Sequence, residues 1–268
     1  MPTRRAQRVG SMPVVAALLE RRPAILALRR ALPASVARLL TARSPTHLAA
    51  LLSRNILEAI ILGPESVRGV VLQSLRRDFP GVPLLLYAPL RSDDADLVLR
   101  AHRDRIAALA LEGLDEPVMS RLIHRHGLTA RRRDELVPLG ARLGLVEPLQ
   151  QRAWAEVVAG APGGLTTEVL ARRLKVRRET LSRSFAAGGA PSLKRAIDAV
   201  RLVAAGQLLG NPGYRVEDVA RLLGFSSVSL LQRTARRTFG VSARGMALLD
   251  GSHLATALQA DGPPAGWA

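Results

Sequence analysis

The stretch Val216-Glu217-Asp218-Val219-Ala220-Arg221-Leu222-Leu223-Gly224-Phe225-Ser226 reads as a short amphipathic helix running into a glycine turn, with Ser226 placed to cap a following helix. Upstream, Leu165-Thr166-Thr167-Glu168-Val169-Leu170-Ala171-Arg172-Arg173-Leu174-Lys175-Val176 leads into Arg177 to Phe185 with the same order of parts. Leu181-Ser182-Arg183-Ser184-Phe185 is echoed by Leu231-Gln232-Arg233-Thr234-Ala235. The region from Leu165 to Val241 therefore reads as two helix-turn-helix units in series, the later helix of each being the one that would enter DNA.

At these residues the chain resembles the DNA-binding domain of the AraC/XylS family of bacterial transcription regulators. The resemblance rests on Leu181, Arg183 and Phe185 in the first recognition helix and on a long linking helix through Arg201 and Leu208-Leu209. Gly224-Phe225-Ser226 and the closing Phe239-Gly240-Val241 complete it, over roughly the last 100 residues. The chain departs from the family pattern at Ala196 and Met246, where tyrosine is usual, and at Leu230-Leu231, which replace an aromatic pair. Ala235 stands for phenylalanine and Ala243 for proline. These changes make core positions smaller or plainer without adding charge, so the fold is retained.

The chain has 268 residues, 48% of them hydrophobic, enough for two ordinary cores. With no cysteine, disulfides, thiolate-bound metal and thiol catalysis are excluded. The amino end Met1 to Gly10 is basic, but the apolar run from Val14 to Leu19 is cut short by Glu20-Arg21-Arg22. That run is too short for a signal sequence or a membrane span, so a cytoplasmic protein with no membrane association is expected. The net charge of +17 suits a polyanionic partner. Part of it is compositional, because the bias toward Arg, Ala, Leu, Gly and Pro is that of GC-rich coding sequence. Position is more informative than total. Arg172, Arg173, Lys175, Arg177 and Arg178 crowd the first turn, and Arg233, Arg236 and Arg237 line the second recognition helix. A solvated arginine face is the plainer alternative.

Over residues 11–127, short apolar runs alternate with amphipathic ones. Candidate strands are Val14 to Leu18, Ser35 to Thr41, Ile56 to Leu62, Val82 to Ala88 and Ile106 to Leu111. Candidate helices are Pro23 to Leu32, Thr46 to Arg54, Ser66 to Phe79, Ser92 to Arg103 and Glu116 to His126. Continuous apolar strands between helices predict a parallel five-stranded sheet covered on both faces, a flavodoxin-like α/β domain. The order and length resemble the receiver domain of two-component regulators. Such a receiver needs acidic residues after the first strand, an aspartate ending the third, a hydroxyl ending the fourth and a lysine ending the fifth. Here those places read Leu18-Leu19, Leu62-Gly63, Ala88 and Glu112, so phosphoryl transfer has neither acceptor nor Mg²⁺ cage.

Residues 128–145, interrupted by Pro138 and Gly140, read as a helical linker. Residues 146–250 form the all-α DNA-binding domain, beginning with the helix that contains Trp154, and residues 251–268 read as a flexible tail that frays from Asp261 to Ala268.

With Leu181 and Phe185 on the buried side of the first recognition helix, steps of about 100° per residue put Glu179 and Arg183 opposite, flanked by Thr180 and Ser182. The same count about Leu231 and Ala235 selects Ser229 and Arg233, with Gln232 beside them. Family resemblance adds Val228. Arginine pairs with guanine, glutamine with adenine, glutamate with cytosine, and an apolar side chain meets the thymine methyl group. The two recognition arginines either read bases or hold phosphates. Arg172 and Arg173 are read as phosphate contacts, and Arg177, Arg236 and Arg237 as further DNA-binding residues. The resemblance implies double-stranded DNA as ligand, RNA polymerase as a further partner, and two recognition helices in successive major grooves. A homodimer through the amino domain is also expected.

No catalytic residue, cofactor or metal is expected. Asp93, Asp94 and Asp96 suit a helix amino end better than a metal. His124 and His126 fall on different helix faces, and Gly160 to Gly164 lacks the context of a phosphate loop. Two other readings stand beside a regulator. One is an interaction scaffold with weak, non-specific DNA binding. The other is an enzyme using the crevice at the strand ends, against which the rim residues Gly63, Pro64, Ala88 and Pro89 offer few polar groups.

Overall fold

A computed structural model describes residues 12–242 and 245–259. The basic amino end, Ala243 and the stretch Asp261 to Ala268 lie outside the described residues. The chain divides into two units, one of residues 12–131 with Asn211–Tyr214, the other containing Arg132–Gly210 and the chain from Arg215 onward.

The first unit alternates strands and helices. In order these are β1 (Val14–Leu18), α1 (Arg22–Ala31), β2 (Arg38–Ala42), α2 (Pro45–Arg54), β3 (Ala59–Leu62), α3 (Pro64–Arg68) and α4 (Val70–Asp78). There follow β4 (Leu84–Ala88), α5 (Ala95–Arg103), β5 (Ala108–Leu111) and α6 (Met119–His126). The sheet order is β2-β1-β3-β4-β5 and every pairing is parallel. This is the doubly wound, flavodoxin-like order expected from the apolar runs. Central β3 and β4 are buried along their whole length, which is why their sequences AIIL and LLLYA show no alternation. Edge strands β2 and β5 carry the more exposed residues. On one face, Val15, Ala17, Ile61, Leu85 and Tyr87 of the strands pack with Ala24 and Leu28 of α1 and with Met119 and Ile123 of α6. The helix expected from Ser66 to Phe79 is in fact two. Gly69 is extended (φ −90°, ψ −170°) and separates α3 from α4, as suits the poorest helix former apart from proline.

The second unit is all helical. It contains α7 (Leu128–Leu136), within which the division between units falls, α8 (Leu139–Arg142), α9 (Pro148–Gly160), α10 (Thr167–Leu174) and α11 (Arg178–Phe185). Then come α12 (Leu193–Leu209), α13 (Val216–Leu222), α14 (Val228–Phe239) and α15 (Gly251–Gln259). Helix α12 is its axle. Leu193, Ala196, Ile197, Ala199, Val200, Leu202, Val203, Ala204, Ala205, Gly206 and Leu208 are all buried, more than one helix face can hold, so neighbours pack around it. Each buried Leu or Val there contributes roughly 1.5–3 kcal/mol. At Gly206 the approach is so close that a Cβ would overlap the Met246 carbonyl.

Two expectations are corrected. The linker 128–145 is not a separate element: Arg132 onward belongs to the helical unit, and Trp154 of α9 donates to the Leu136 carbonyl at 3.0 Å. A Cβ at Gly140 would press on the Trp154 ring, which explains a glycine in α8. The tail is likewise ordered through Gln259, since α15 buries Leu254, Ala255, Ala257 and Leu258. Asp250 starts that helix by accepting from the Ser252 and His253 amides at 2.9 and 3.1 Å and from the Ser252 hydroxyl at 2.7 Å. Glu135 accepts from the Gly251 amide at 2.6 Å, and Gln259 donates to the Arg142 carbonyl at 2.9 Å.

Burial pushes the Asp250 carboxyl up, but the bonds from Ser252 and His253 outweigh it and hold the group at about 2. A carboxylate depressed on folding stabilises above its unfolded value near 3.9 and loses that contribution as pH falls toward the folded value. Asp250→Asn should therefore lower the melting temperature at neutral pH, by an amount equivalent to about 1 kcal/mol for the lost charge-assisted bonds to Ser252 and His253, and the gap from wild type should close between about pH 4 and 2. Thermal melts followed by circular dichroism check this. Helix α10 ends on Lys175 in the left-handed region (φ 57°, ψ 40°), where a Cβ is strained. Lys175→Gly should raise stability by about 1 kcal/mol in urea titrations, whereas the same change inside a helix would lower it.

Candidate nucleic-acid interface

Each helix pair is built by local rules. In the first, Thr166 accepts from the Val169 amide at 3.2 Å to start α10, and the left-handed Lys175 turns the chain into α11. Leu170, Ala171 and Leu174 of α10 and Leu181 and Phe185 of α11 are buried. In the second pair, Glu217 and Asp218 in the first turn of α13 complement its dipole, and Gly224 (φ 68°) makes the turn. The cap of α14 is Ser227, not Ser226: its hydroxyl accepts from the Leu230 amide at 3.1 Å. Both serines satisfy the cap preference, and the register of α14 decides between them. Leu231, Thr234, Ala235, Thr238 and Phe239 form its buried side.

The outward faces follow. On α11, Glu179, Thr180 and Arg183 are exposed and Ser182 is half-buried. On α14, Ser229, Arg233, Arg236 and Arg237 are exposed, while Val228 and Gln232 are half-buried. Each helix thus turns a buried leucine inward and an arginine outward. Leu230, one of the pair replacing aromatics, is 37% exposed, and Leu231 carries the packing.

The basic residues are not equivalent. Arg172 is exposed and pairs loosely with Glu168 of its own helix at 3.5 Å. Arg173, although adjacent, is half-buried and faces Glu156 of α9 at 3.7 Å. Neither Glu156 Oε2 nor Arg173 Nη1 has a hydrogen-bond partner, and burial pushes the Glu156 carboxyl up despite the attraction of Arg173. Arg237 lies 3.9 Å from Asp198 of α12, which also holds Lys194 at 3.7 Å. Arg177, Arg183, Arg233 and Arg236 are exposed.

Two supporting residues escaped the sequence reading. Gln150 of α9, 2% exposed, donates to the Ser184, Phe185 and Ala187 carbonyls at 3.1, 3.2 and 3.2 Å. Arg201 of α12 donates through Nε to the Leu223 carbonyl at 2.6 Å and through Nη2 to the same oxygen, and its guanidinium lies 4.2 Å from the Phe225 ring centroid. Their partners lie far away in sequence, and only Arg201 carried any signal, as a member of the linking helix.

In the α/β unit, the crevice at the strand ends is occupied by the chain itself. Glu20, just beyond β1, accepts from the Ser66 amide at 2.9 Å and from the Ser66 hydroxyl at 2.8 Å. Its carboxylate fills the space that a Cβ on Gly63 would need. Arg21 pairs with Glu112, at the end of β5, at 3.1 Å. Among the described residues no three His, Cys, Asp or Glu side chains cluster to hold a metal, and no helix is long and apolar enough to cross a membrane.

A sequence-family model for a helix-turn-helix domain matches residues 170–247. No curated protein matches the chain. Among solved structures, a response regulator from Thermotoga maritima is similar at 17% identity, covering 42% of this chain and 98% of its own, with a TM-score of 0.36. Full-length FixJ from B. japonicum is similar at 11% identity over 89% of this chain and 98% of its own, with a TM-score of 0.39. RcsB from Salmonella enterica serovar Typhimurium, solved bound to promoter rprA, gives 12% identity, coverages of 69% and 97%, and a TM-score of 0.35. The sheet order of the first unit is that of a flavodoxin-like, doubly wound fold. Over residues 170–247, covering α11, α12, α13 and α14, the chain carries a helix-turn-helix domain of the AraC type.

Proposed function

We propose that this protein is a sequence-specific DNA-binding transcription regulator that presents α11 and α14 to successive major grooves on one face of a duplex, about one helical turn apart. The observation that carries the reading is the matched pair of helices, each burying a leucine and exposing an arginine among hydrogen-bonding neighbours, within a helix-turn-helix domain. Arg183 and Arg233 have the donors to span guanine O6 and N7, Gln232 suits adenine, Glu179 accepts from cytosine N4, and Val228 meets a thymine methyl group. Thr180, Ser182 and Ser229 supply shorter polar contacts. Arg172, Arg177, Arg236 and Arg237 hold phosphates, while Arg173, tied to Glu156, acts chiefly through its field.

The α/β unit serves as a non-phosphorylated receiver-like module for dimerisation or partner input. Exposed Val98 and Leu99 on α5 and Leu109 on edge strand β5 give it apolar surface for a second copy. RNA polymerase is the further partner of this reading, and the cytoplasm its place of action.

Four outcomes are expected. A fragment of residues 132–259 should fold and bind DNA alone, and should melt higher than one of residues 146–250, which lacks α8 and α15; a folded fragment with no preference among duplexes would favour the scaffold reading. Arg183→Ala or Arg233→Ala should cost roughly 1–3 kcal/mol and relax preference at one half-site. Arg172→Ala should weaken all sequences about equally and reduce the salt slope by about 1. Fluorescence anisotropy at several salt concentrations separates these, and if the first two variants behave like the third, both arginines are phosphate clamps. Acetyl phosphate with Mg²⁺ should leave no phosphoaspartate at the strand ends, because Gly63 offers no side chain there and Glu20 fills the space; a modified aspartate found by mass spectrometry would overturn this.

A further inference from the structure

The recognition helices are held at opposite ends. The last carbonyls of a helix have no partners within it, and their directions are fixed by whatever donates to them. For α11 that donor is the Gln150 amide, which gathers the Ser184, Phe185 and Ala187 carbonyls while its own oxygen accepts from the Glu147 amide at 3.0 Å. One buried side chain therefore ties the start of α9 to the end of α11. For α14 the hold lies just before its beginning. Gly224 is the pivot of the turn, and Arg201 grips the residue on each side of it, the Leu223 carbonyl by two donors and the Phe225 ring by its guanidinium face. A Cβ on Gly224 would come within 3.2 Å of Arg201 Nη2, so the guanidinium lies directly against the pivot. The Phe225 amide donates to the Ala220 carbonyl at 2.8 Å, and the Ser227 cap follows at once.

Leverage makes these contacts matter. At about 1.5 Å per residue, the 12 residues of α14 span roughly 18 Å, so a tilt of about 10° at the turn displaces the far end by about 3 Å. Hydrogen bonds to base edges do not survive such a shift. We infer that Arg201 and Gln150 are positioning residues, Arg201 setting the aim of α14 and Gln150 that of α11, so that the two half-sites are tuned separately by side chains acting through the helices they hold. The inference rests on the DNA-binding reading for its consequence, but not for its mechanics.

The test uses the full chain. Wild type selects duplexes from a random library, and Arg183→Ala and Arg233→Ala assign each selected block of sequence to its helix. Arg201→Met, which keeps the stem and removes the donors, should lose roughly five- to thirtyfold in preference at the α14 block and leave the α11 block unchanged; Gln150→Leu should do the reverse. Arg201→Lys, whose ammonium can donate from a single nitrogen and keeps a charge to place over Phe225, should recover part of the loss. Equal loss at both blocks, an unselective loss with a smaller salt slope, or no change in a folded variant overturns the inference. So does the disappearance of a cooperative melt in both Arg201 variants, since a local role leaves the fold standing. If wild type selects no sequence, the DNA-binding reading fails instead, and amide exchange decides the mechanics. Arg201→Met should then speed exchange from Gly224 to Leu231 without affecting Arg178 to Phe185, Gln150→Leu the converse, and uniform acceleration overturns it.

Discussion

The helical unit depends on close packing around α12. Its alanines and Gly206 leave so little bulk that backbone and side chains from several directions reach the same rod, most tightly where the Met246 carbonyl meets Gly206. With 11 of its 17 residues buried and only a narrow stripe that includes Lys194, Arg195 and Asp198 reaching solvent, the helix has little freedom to slide or roll, and interiors packed at crystal density yield little. The 17 residues of α12, roughly 25 Å at 1.5 Å per residue, therefore act as a fixed spacer between the two helix-turn-helix units.

Much of the fold was legible because the α/β unit obeys simple rules. AIIL and LLLYA are too short and too apolar for anything but buried strands, and their separation by amphipathic segments leaves a parallel sheet as the economical solution. What escaped was disguised by composition. Residues from Gly251 onward look like tail because Gly, Pro and Ala are frequent there. Yet Asp250 stands as a cap before Leu254, Ala255 and Leu258, which share one helical face and are buried. In α8, Pro138 and Gly140 read as interruptions, but the proline precedes a helical turn and the glycine makes room for Trp154.

In the interface, the outward residues of α11 and α14 were legible because one buried leucine fixes the phase of a helix. The supports were not, since Gln150 and Arg201 act on carbonyls 34 to 37 and 22 residues away. Arg173 shows the same limit. Grouped with Arg172 by sequence, it lies a helical step away and turns toward Glu156, where burial replaces exposure.

Glu20 makes the strand-end rim of the α/β unit a site already filled from within. An aspartate placed at position 63 would bring a second carboxylate into the space Glu20 already fills, and like charges in such contact oppose their own ionisation. Removing Glu20 would strip Ser66 of its acceptor. Just past β5, Glu112 is likewise committed, to Arg21. The rim is thus sealed by its own side chains, and removing any one of them leaves its partner without the bond it now makes.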